Sequence, residues 1–406
     1  MRNLVILLAM VSTVLAADQP RVWREQIKTA LSVSNPLPPL GPETHGRFEP
    51  EPGVIAERVT YGTQFGLRVP AILYLPKNRP GKIPALIVVN GHGGDKFSWY
   101  AFYSGVSYAR GGAAVLTYDP AGEGERNINR KSGTRAHDVM QSPEELGRRL
   151  GGLMITEVMQ AVSYLSQRPE VDATRIGAMG YSMGSFVLSL AGAVETRLNP
   201  CVLVGGGNLD GPGEYWDTSK QMCQGLPYKA LTFLGDRAAI IYALHALRGP
   251  TLVFNGTEDS IIHPKISPAR DPFRHFEDLQ RRAGELSKLP DRVFVTGYEK
   301  AVGHRPFFVT RPVALWLERH LDFPHWTEAG IRALPETHIS EWAQARGVAM
   351  DKAYATEHRE GGTRALGEGI PALSRETLCV FTSAEWEREK ARMIHETWLA
   401  EARRHL

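Results

Sequence analysis

Six short runs along the chain are apolar almost throughout: Ala85-Leu86-Ile87-Val88-Val89, Ala113-Ala114-Val115-Leu116, Ile176-Gly177-Ala178-Met179, Cys201-Val202-Leu203-Val204, Thr251-Leu252-Val253-Phe254 and Val293-Phe294-Val295. A strand with one wet face alternates apolar and polar residues, so runs of this kind predict strands buried on both faces. Between them lie longer segments with helical spacing, as in Leu153, Ile155, Val158, Met159, Val162 and Leu165. Buried strands alternating with helices predict an α/β fold: a mostly parallel central sheet with helices on both faces.

Elsewhere the pattern differs. Val54 to Tyr61 and Leu67 to Leu75 predict an antiparallel hairpin closed by Gly62 to Gly66. Pro36, Pro38, Pro39, Pro42 and Pro50 mark residues 18–50 as a proline-rich lead-in laid over the surface. Beyond Pro324 the buried runs stop, and residues 325–406 predict a helical C-terminal extension on a main domain of residues 51–324. Its helices are expected from Thr337 to Ala345, around Trp342, and from Thr382 to the end. Thr382 and Glu385 have the spacing of a capping box, and Trp386, Met393, Ile394, Trp398 and Leu399 fall on one apolar stripe.

Composition narrows the function classes. Residues 1–17 carry one positive charge and then a short apolar stretch ending in small residues, the pattern of a cleavable secretory signal, so the protein is expected to be exported to a periplasmic or extracellular location. No later segment is long and apolar enough to suggest a membrane span. Charge is nearly balanced, 47 basic against 44 acidic residues, and without a Lys/Arg block no nucleic-acid partner is expected. Three cysteines are too few for a disulfide scaffold; export permits one bridge, and Cys201 reads as a core residue. No C-x-x-C, H-E-x-x-H or similar spacing occurs, so no metal and no cofactor are expected.

In an open parallel sheet, sites form at the carboxyl ends of the strands. The loops there read Asn90-Gly91-His92-Gly93-Gly94, Asp119-Pro120-Ala121-Gly122-Glu123-Gly124, Gly180-Tyr181-Ser182-Met183-Gly184, Gly205-Gly206-Gly207-Asn208, Gly256-Thr257-Glu258-Asp259 and Gly303-His304. The third is a G-x-S-x-G sequence between a buried run and a helical one, the context of a nucleophile elbow, which makes Ser182 the candidate nucleophile. A serine hydroxyl needs a base, and the base an orienting carboxylate; in this architecture the order along the chain is Ser, acid, His. His304, past the last buried run, is the candidate base. Asp259 is the preferred acid, with Glu258 and Asp210 as alternatives. For the oxyanion, one donor is expected from the Met183 amide and a second from His92 or Gly93. Trp99, Tyr100 and Trp216 are candidate substrate contacts, with a core role as the alternative for each.

Over residues 50 to 322 the chain resembles the α/β-hydrolases, and more narrowly the acetyl xylan esterase and dienelactone hydrolase-like group. The resemblance rests on Ala71-Ile72-Leu73-Tyr74-Leu75-Pro76, the Asn90 to Gly94 loop, Asp119 to Gly124, the Ser182 pentapeptide, Asp259 and His304. Asn90-Gly91 departs from the His-Gly that many members carry there. The resemblance implies acyl transfer to water through an acyl-serine, on a small-molecule or saccharide ester such as acetylated xylan. A serine peptidase of the same fold and a non-catalytic exported binding protein are the alternatives.

Overall fold

The computed structural model describes residues 18–138, 144–207, 209, 221–262, 272–290, 293–304, 307–349 and 363–406. A nine-stranded sheet runs through the molecule: β1 (Glu43–Glu51), β2 (Val54–Gly62), β3 (Arg68–Pro76), β4 (Ile83–Val89), β5 (Ala114–Tyr118), β6 (Val171–Tyr181), β7 (Leu198–Val204), β8 (Thr251–Gly256) and β9 (Phe294–Glu299), in the order β1-β2-β3-β5-β4-β6-β7-β8-β9. The predicted hairpin is β2 and β3, paired antiparallel from Val54↔Pro76 to Gly62↔Arg68. β3 pairs antiparallel with β5, and every pairing from β5 through β4 to β9 is parallel. All six apolar runs lie in or against β4 to β9.

β4 shows why these strands lack alternation. Ala85, Ile87 and Val89 enter one hydrophobic core, while Leu86 and Val88 enter the other. Both faces are dry, so each large apolar side chain contributes roughly 1.5–3 kcal/mol of burial whichever way it points. The first core lies under α3 (Glu144–Ser166), α4 (Met183–Val194) and α6 (Arg237–Arg248), joined by Phe276 and Leu279 of α7 (Pro272–Ser287). α2 (Trp99–Arg110) and α8 (Arg311–Leu321) cover the second. Because β5 and β6 lie on opposite sides of β4, the chain direction across the sheet switches there, and the loops after β4 and β6 meet at the crevice.

Two regions differ from expectation. The lead-in is more than a surface wrap: residues 18–30 form a helix, α1, whose Ile27 joins Leu31 in the first core. Within the same stretch β1 adds an antiparallel edge to β2. β1 reads Glu-Thr-His-Gly-Arg-Phe-Glu-Pro-Glu and is half exposed, so it lacks the apolar signal that marks the central strands. In the extension lie α9 (Glu328–Ala333), α10 (Ile339–Arg346), α11 (Arg375–Leu378), α12 (Ser383–Glu389) and α13 (His395–Arg404), with a two-stranded ribbon of β10 (Glu336–His338) and β11 (Arg364–Leu366). The capping box forms at Thr382 and Glu385. The expected single stripe is divided, however: a turn of 3-10 helix and an extended Ile394 separate α12 from α13. Trp386, Met393 and Ile394 pack in the second core, Trp398 in the first.

The extension holds the loop after β5. Both Glu125 carboxylate oxygens accept from the extension, from Val380 N (2.8 Å) and Phe381 N (3.1 Å). Trp386 Nε1 donates to Glu125 O (2.8 Å), Arg126 Nε to Met393 O (3.2 Å) and Arg375 Nη2 to Arg130 O (2.6 Å). No single helix among the described residues is long and apolar enough to cross a membrane, and no disulfide joins Cys201, Cys223 and Cys379 to one another.

Candidate active site

Ser182 stands between β6 and α4 with φ 51° and ψ −113°, a conformation that an L residue enters only at a cost of about 1–3 kcal/mol. The turn is tight enough to exclude side chains around it. A Cβ on Gly184 would meet Val89 O at 2.1 Å, and one on Gly180 would meet Gly184 O at 2.4 Å. Strand and helix therefore close on the serine and hold its Oγ clear of both.

His304 Nε2 lies 3.0 Å from Ser182 Oγ, and Asp259 Oδ2 lies 2.8 Å from His304 Nδ1. The other Asp259 oxygen accepts from Ile261 N (2.9 Å) and Ile262 N (3.0 Å). Burial alone would raise the Asp259 carboxyl, but the charge and hydrogen bond of His304 and the two amides outweigh it and hold it below its ordinary value. Asp259 is buried, whereas Glu258 beside it is exposed; Asp210 lies outside the described residues. The Tyr181 ring packs against the His304 imidazole, centroids 5.4 Å apart.

Tyr100 is a correction. Its ring is buried, 1% exposed, and Gly91 N donates to its hydroxyl (3.1 Å), so it supports the loop after β4 and offers substrate no face. In that loop Gly94 N is also used internally, on Gly91 O (2.9 Å), whereas the amides of His92 and Gly93 donate to no acceptor among the described residues. Met183 opens α4, so its amide likewise has no partner within the helix. Asn90 donates through Nδ2 to Tyr118 O (2.8 Å) and ties the ends of β4 and β5 together. Trp99 packs on Trp342 of the extension (5.8 Å) and borders a cleft of about 940 Å³ that Gly93, Phe102, Arg346 and Leu373 also line. Trp216 lies outside the described residues.

The motif reading missed the buried charges beneath these loops. Lys96, wholly buried, pairs with Asp119 and with Glu125 (2.9 Å), and Arg130 reaches Glu125 at 2.5 Å. Burial disfavours the Lys96 charge, but the two carboxylates outweigh it and raise its pKa above the ordinary value. Glu123 accepts from Arg135 N (2.6 Å) and Thr134 N (3.0 Å). His92 Nε2 meets Asp138 (2.8 Å), and the rings of His92 and His137 stand 5.3 Å apart. Nothing in the spacing of these residues along the chain announces their meeting.

Glu123 makes stability depend on pH. Burial raises its carboxyl to about 7, against the pull of the two amides, from an ordinary value of 4.5. A carboxyl raised in the folded state contributes stability that is fully present below about pH 4.5 and is lost as pH rises through 7, at most about 3 kcal/mol. Asp95, raised to about 6 by burial and by Asp119, titrates in the same window. Urea midpoints from pH 4.5 to 8 should therefore fall less steeply for Glu123→Gln than for the unmodified chain. Parallel profiles would refute this assignment.

The model of the acetyl xylan esterase (AXE1) family matches residues 48–204 and that of the prolyl oligopeptidase family residues 143–289. Both stretches contain Ser182, only the second contains Asp259, and His304 lies outside both. The Bacillus subtilis protein YtaP, named as a hydrolase, is 26% identical over 170 residues, 37% of this chain and 55% of its own length. Hydrolyase poxO of Penicillium oxalicum is 29% identical over 153 residues, 36% of this chain and 31% of its own. The match thus spans about half of the first relative and about a third of the second. Among solved structures, methylesterase BT1017 superposes with a TM-score of 0.60 at 19% identity, covering 94% of this chain and 73% of its own. BF1801 of Bacteroides fragilis, named for an acetyl xylan esterase, gives 0.53 at 16% identity over 70% of this chain and 75% of its own.

Proposed function

We propose that this chain, an α/β-hydrolase similar to the acetyl xylan esterases, is an exported serine carboxylic-ester hydrolase that removes acetyl or another short acyl group from a saccharide or similar alcohol. The observation that carries the reading is the unbroken chain from Ser182 Oγ through His304 to buried Asp259, at 3.0 and 2.8 Å. Ser182 Oγ attacks the ester carbonyl while its proton passes to His304 Nε2. The amides of Met183 and of His92 or Gly93 stabilise the oxyanion. His304 then hands its proton to the departing alcohol, leaving an acyl-serine. Water, deprotonated by the same imidazole, releases the acid and restores Ser182.

The match to the acetyl xylan esterase model over the stretch that holds the loop after β4 and the elbow supports ester over amide chemistry. Export rests on the leader-like residues 1–17. A second reading, a serine peptidase of the same fold, is favoured by the prolyl oligopeptidase match. A panel of p-nitrophenyl esters of increasing acyl length, acetylated xylan, methyl uronates and peptide amides separates the two. Turnover of acetyl esters with none of amides is expected, and the reverse would establish the peptidase. Failure of a fluorophosphonate to label Ser182 would leave a non-catalytic binding protein.

A further inference from the structure

We propose that His92, His137, Asp138 and Cys223 form a binding site for one divalent transition-metal ion of the zinc class. One ligand atom from each lies within 4.8 Å of all the others, and the four come from three separate segments: the loop after β4, the turn at residues 136–138 and the turn at 221–225 that precedes α5 (Leu226–Lys229).

The contacts converge instead of forming a relay. In a Cys-His-Asp relay the thiol and the carboxylate hold opposite ring nitrogens. Here both approach the same one: His92 Nε2 is 2.8 Å from Asp138 Oδ2 and 3.7 Å from Cys223 Sγ. Cys223 Sγ is 3.1 Å from Asp138 Oδ1, and His137 Nε2 is 3.9 Å from that same oxygen. Zinc bonds of about 2.0–2.3 Å in a tetrahedron place ligand atoms about 3.3–3.6 Å apart, in the middle of these separations.

His137 points independently to a cation. Its Nδ1 faces Ala121 O at 3.1 Å; a carbonyl only accepts, so Nδ1 carries the proton and Nε2 the lone pair. That Nε2 is buried in a residue 2% exposed and has no hydrogen-bond partner among the described residues, yet it faces a carboxylate. Two electron-rich atoms confront each other with no hydrogen between them, an arrangement that a shared cation resolves. The Nδ1–H to backbone carbonyl bond is also the outer contact that fixes the tautomer of a metal-bound histidine.

Binding balances simply. The ion takes the place of the Cys223 thiol proton, which leaves to solvent, and of the proton that His92 Nε2 holds toward Asp138, which moves by way of solvent to His92 Nδ1; both imidazoles then bind neutral through Nε2. Thiolate and carboxylate together cancel the two positive charges, so the buried centre is neutral. Two nitrogens, one oxygen and one sulfur suit zinc over magnesium or calcium, which take oxygen ligands. Such an ion would pin the loop carrying the His92 and Gly93 amides, but its binding does not depend on the ester-hydrolase reading.

Cobalt(II), which reports a tetrahedral thiolate site by its absorption, is the probe for the chelator-treated full chain. One equivalent should bind, with a thiolate-to-cobalt band in the near ultraviolet and intense visible bands, and zinc should displace it. Cys223→Ser, folded by circular dichroism, should lose the near-ultraviolet band. His137→Gln should weaken cobalt affinity at least about 10-fold. No saturable binding to the unmodified chain, or a spectrum unchanged in Cys223→Ser, would overturn the proposal. The readout is binding, so that result leaves ester hydrolysis untouched.

Discussion

Ser182→Ala is expected to lower kcat for ester hydrolysis by a factor on the order of 10^6 while the protein remains folded. Alanine keeps the Cβ and therefore the same positive-φ strain, so stability should hardly change. Ser182→Gly should be equally inactive yet more stable by about 1 kcal/mol, because glycine accepts φ 51° and ψ −113° without the Cβ clash. Asp259→Asn should cost on the order of 10^4, since its amide no longer enforces the His304 tautomer with the lone pair toward Ser182. Steady-state kinetics with p-nitrophenyl acetate and melting curves on the same preparations check all three. Activity surviving in Ser182→Ala would end the acyl-serine reading, and equal stability of the alanine and glycine variants would end the claim of strain.

Lys96→Met should destabilise the fold by roughly 3–5 kcal/mol, the cost of leaving buried carboxylates without their counter-charge. Asp119 and Glu125 are both wholly buried and both contact the Lys96 ammonium. Glu125 retains Arg130 and the Val380 and Phe381 amides; among the described residues Asp119 retains only the amides of Lys96 (3.2 Å) and Glu125 (2.8 Å). The stranded charge is therefore that of Asp119, and Lys96→Met with Asp119→Asn should recover much of the loss. Urea unfolding of both single variants and the double variant measures the coupling. A single-variant loss below about 1 kcal/mol would show that the cluster contributes little net stability.

What the sequence made legible, and what it did not, follows from distance along the chain and from burial. Strands β4 to β9 stood out because both of their faces are dry, as Leu86 and Ile87 show by entering opposite cores. β1 did not, because an exposed polar edge strand resembles a loop in composition. Ser182, Asp259 and His304 could be placed because each follows a recognisable strand in a fixed order. Tyr100 looked like a substrate contact because an aromatic next to a glycine loop reads the same whether it faces in or out; only the Gly91 N bond decides. His137, Asp138 and Cys223 carried no readable signal, since Cys223 stands 131 residues from the His92 it meets. The stripe at the C-terminus was visible as apolar spacing, but its division between two cores depends on a break at Ile394 that spacing does not encode.

The grip of residues 375–398 on the loop after β5 also sets a schedule for biosynthesis. A ribosome delivers Ser182, Asp259 and His304 well before Val380, Phe381 and Trp386, the residues that satisfy Glu125 and cover its backbone carbonyl. Until those arrive, the buried Lys96 cluster between the loops after β4 and β5 lacks its lid of amides and indole. A nascent chain thus carries Ser182, Asp259 and His304, the proposed nucleophile, acid and base, on an unfinished floor until residues 380–386 emerge.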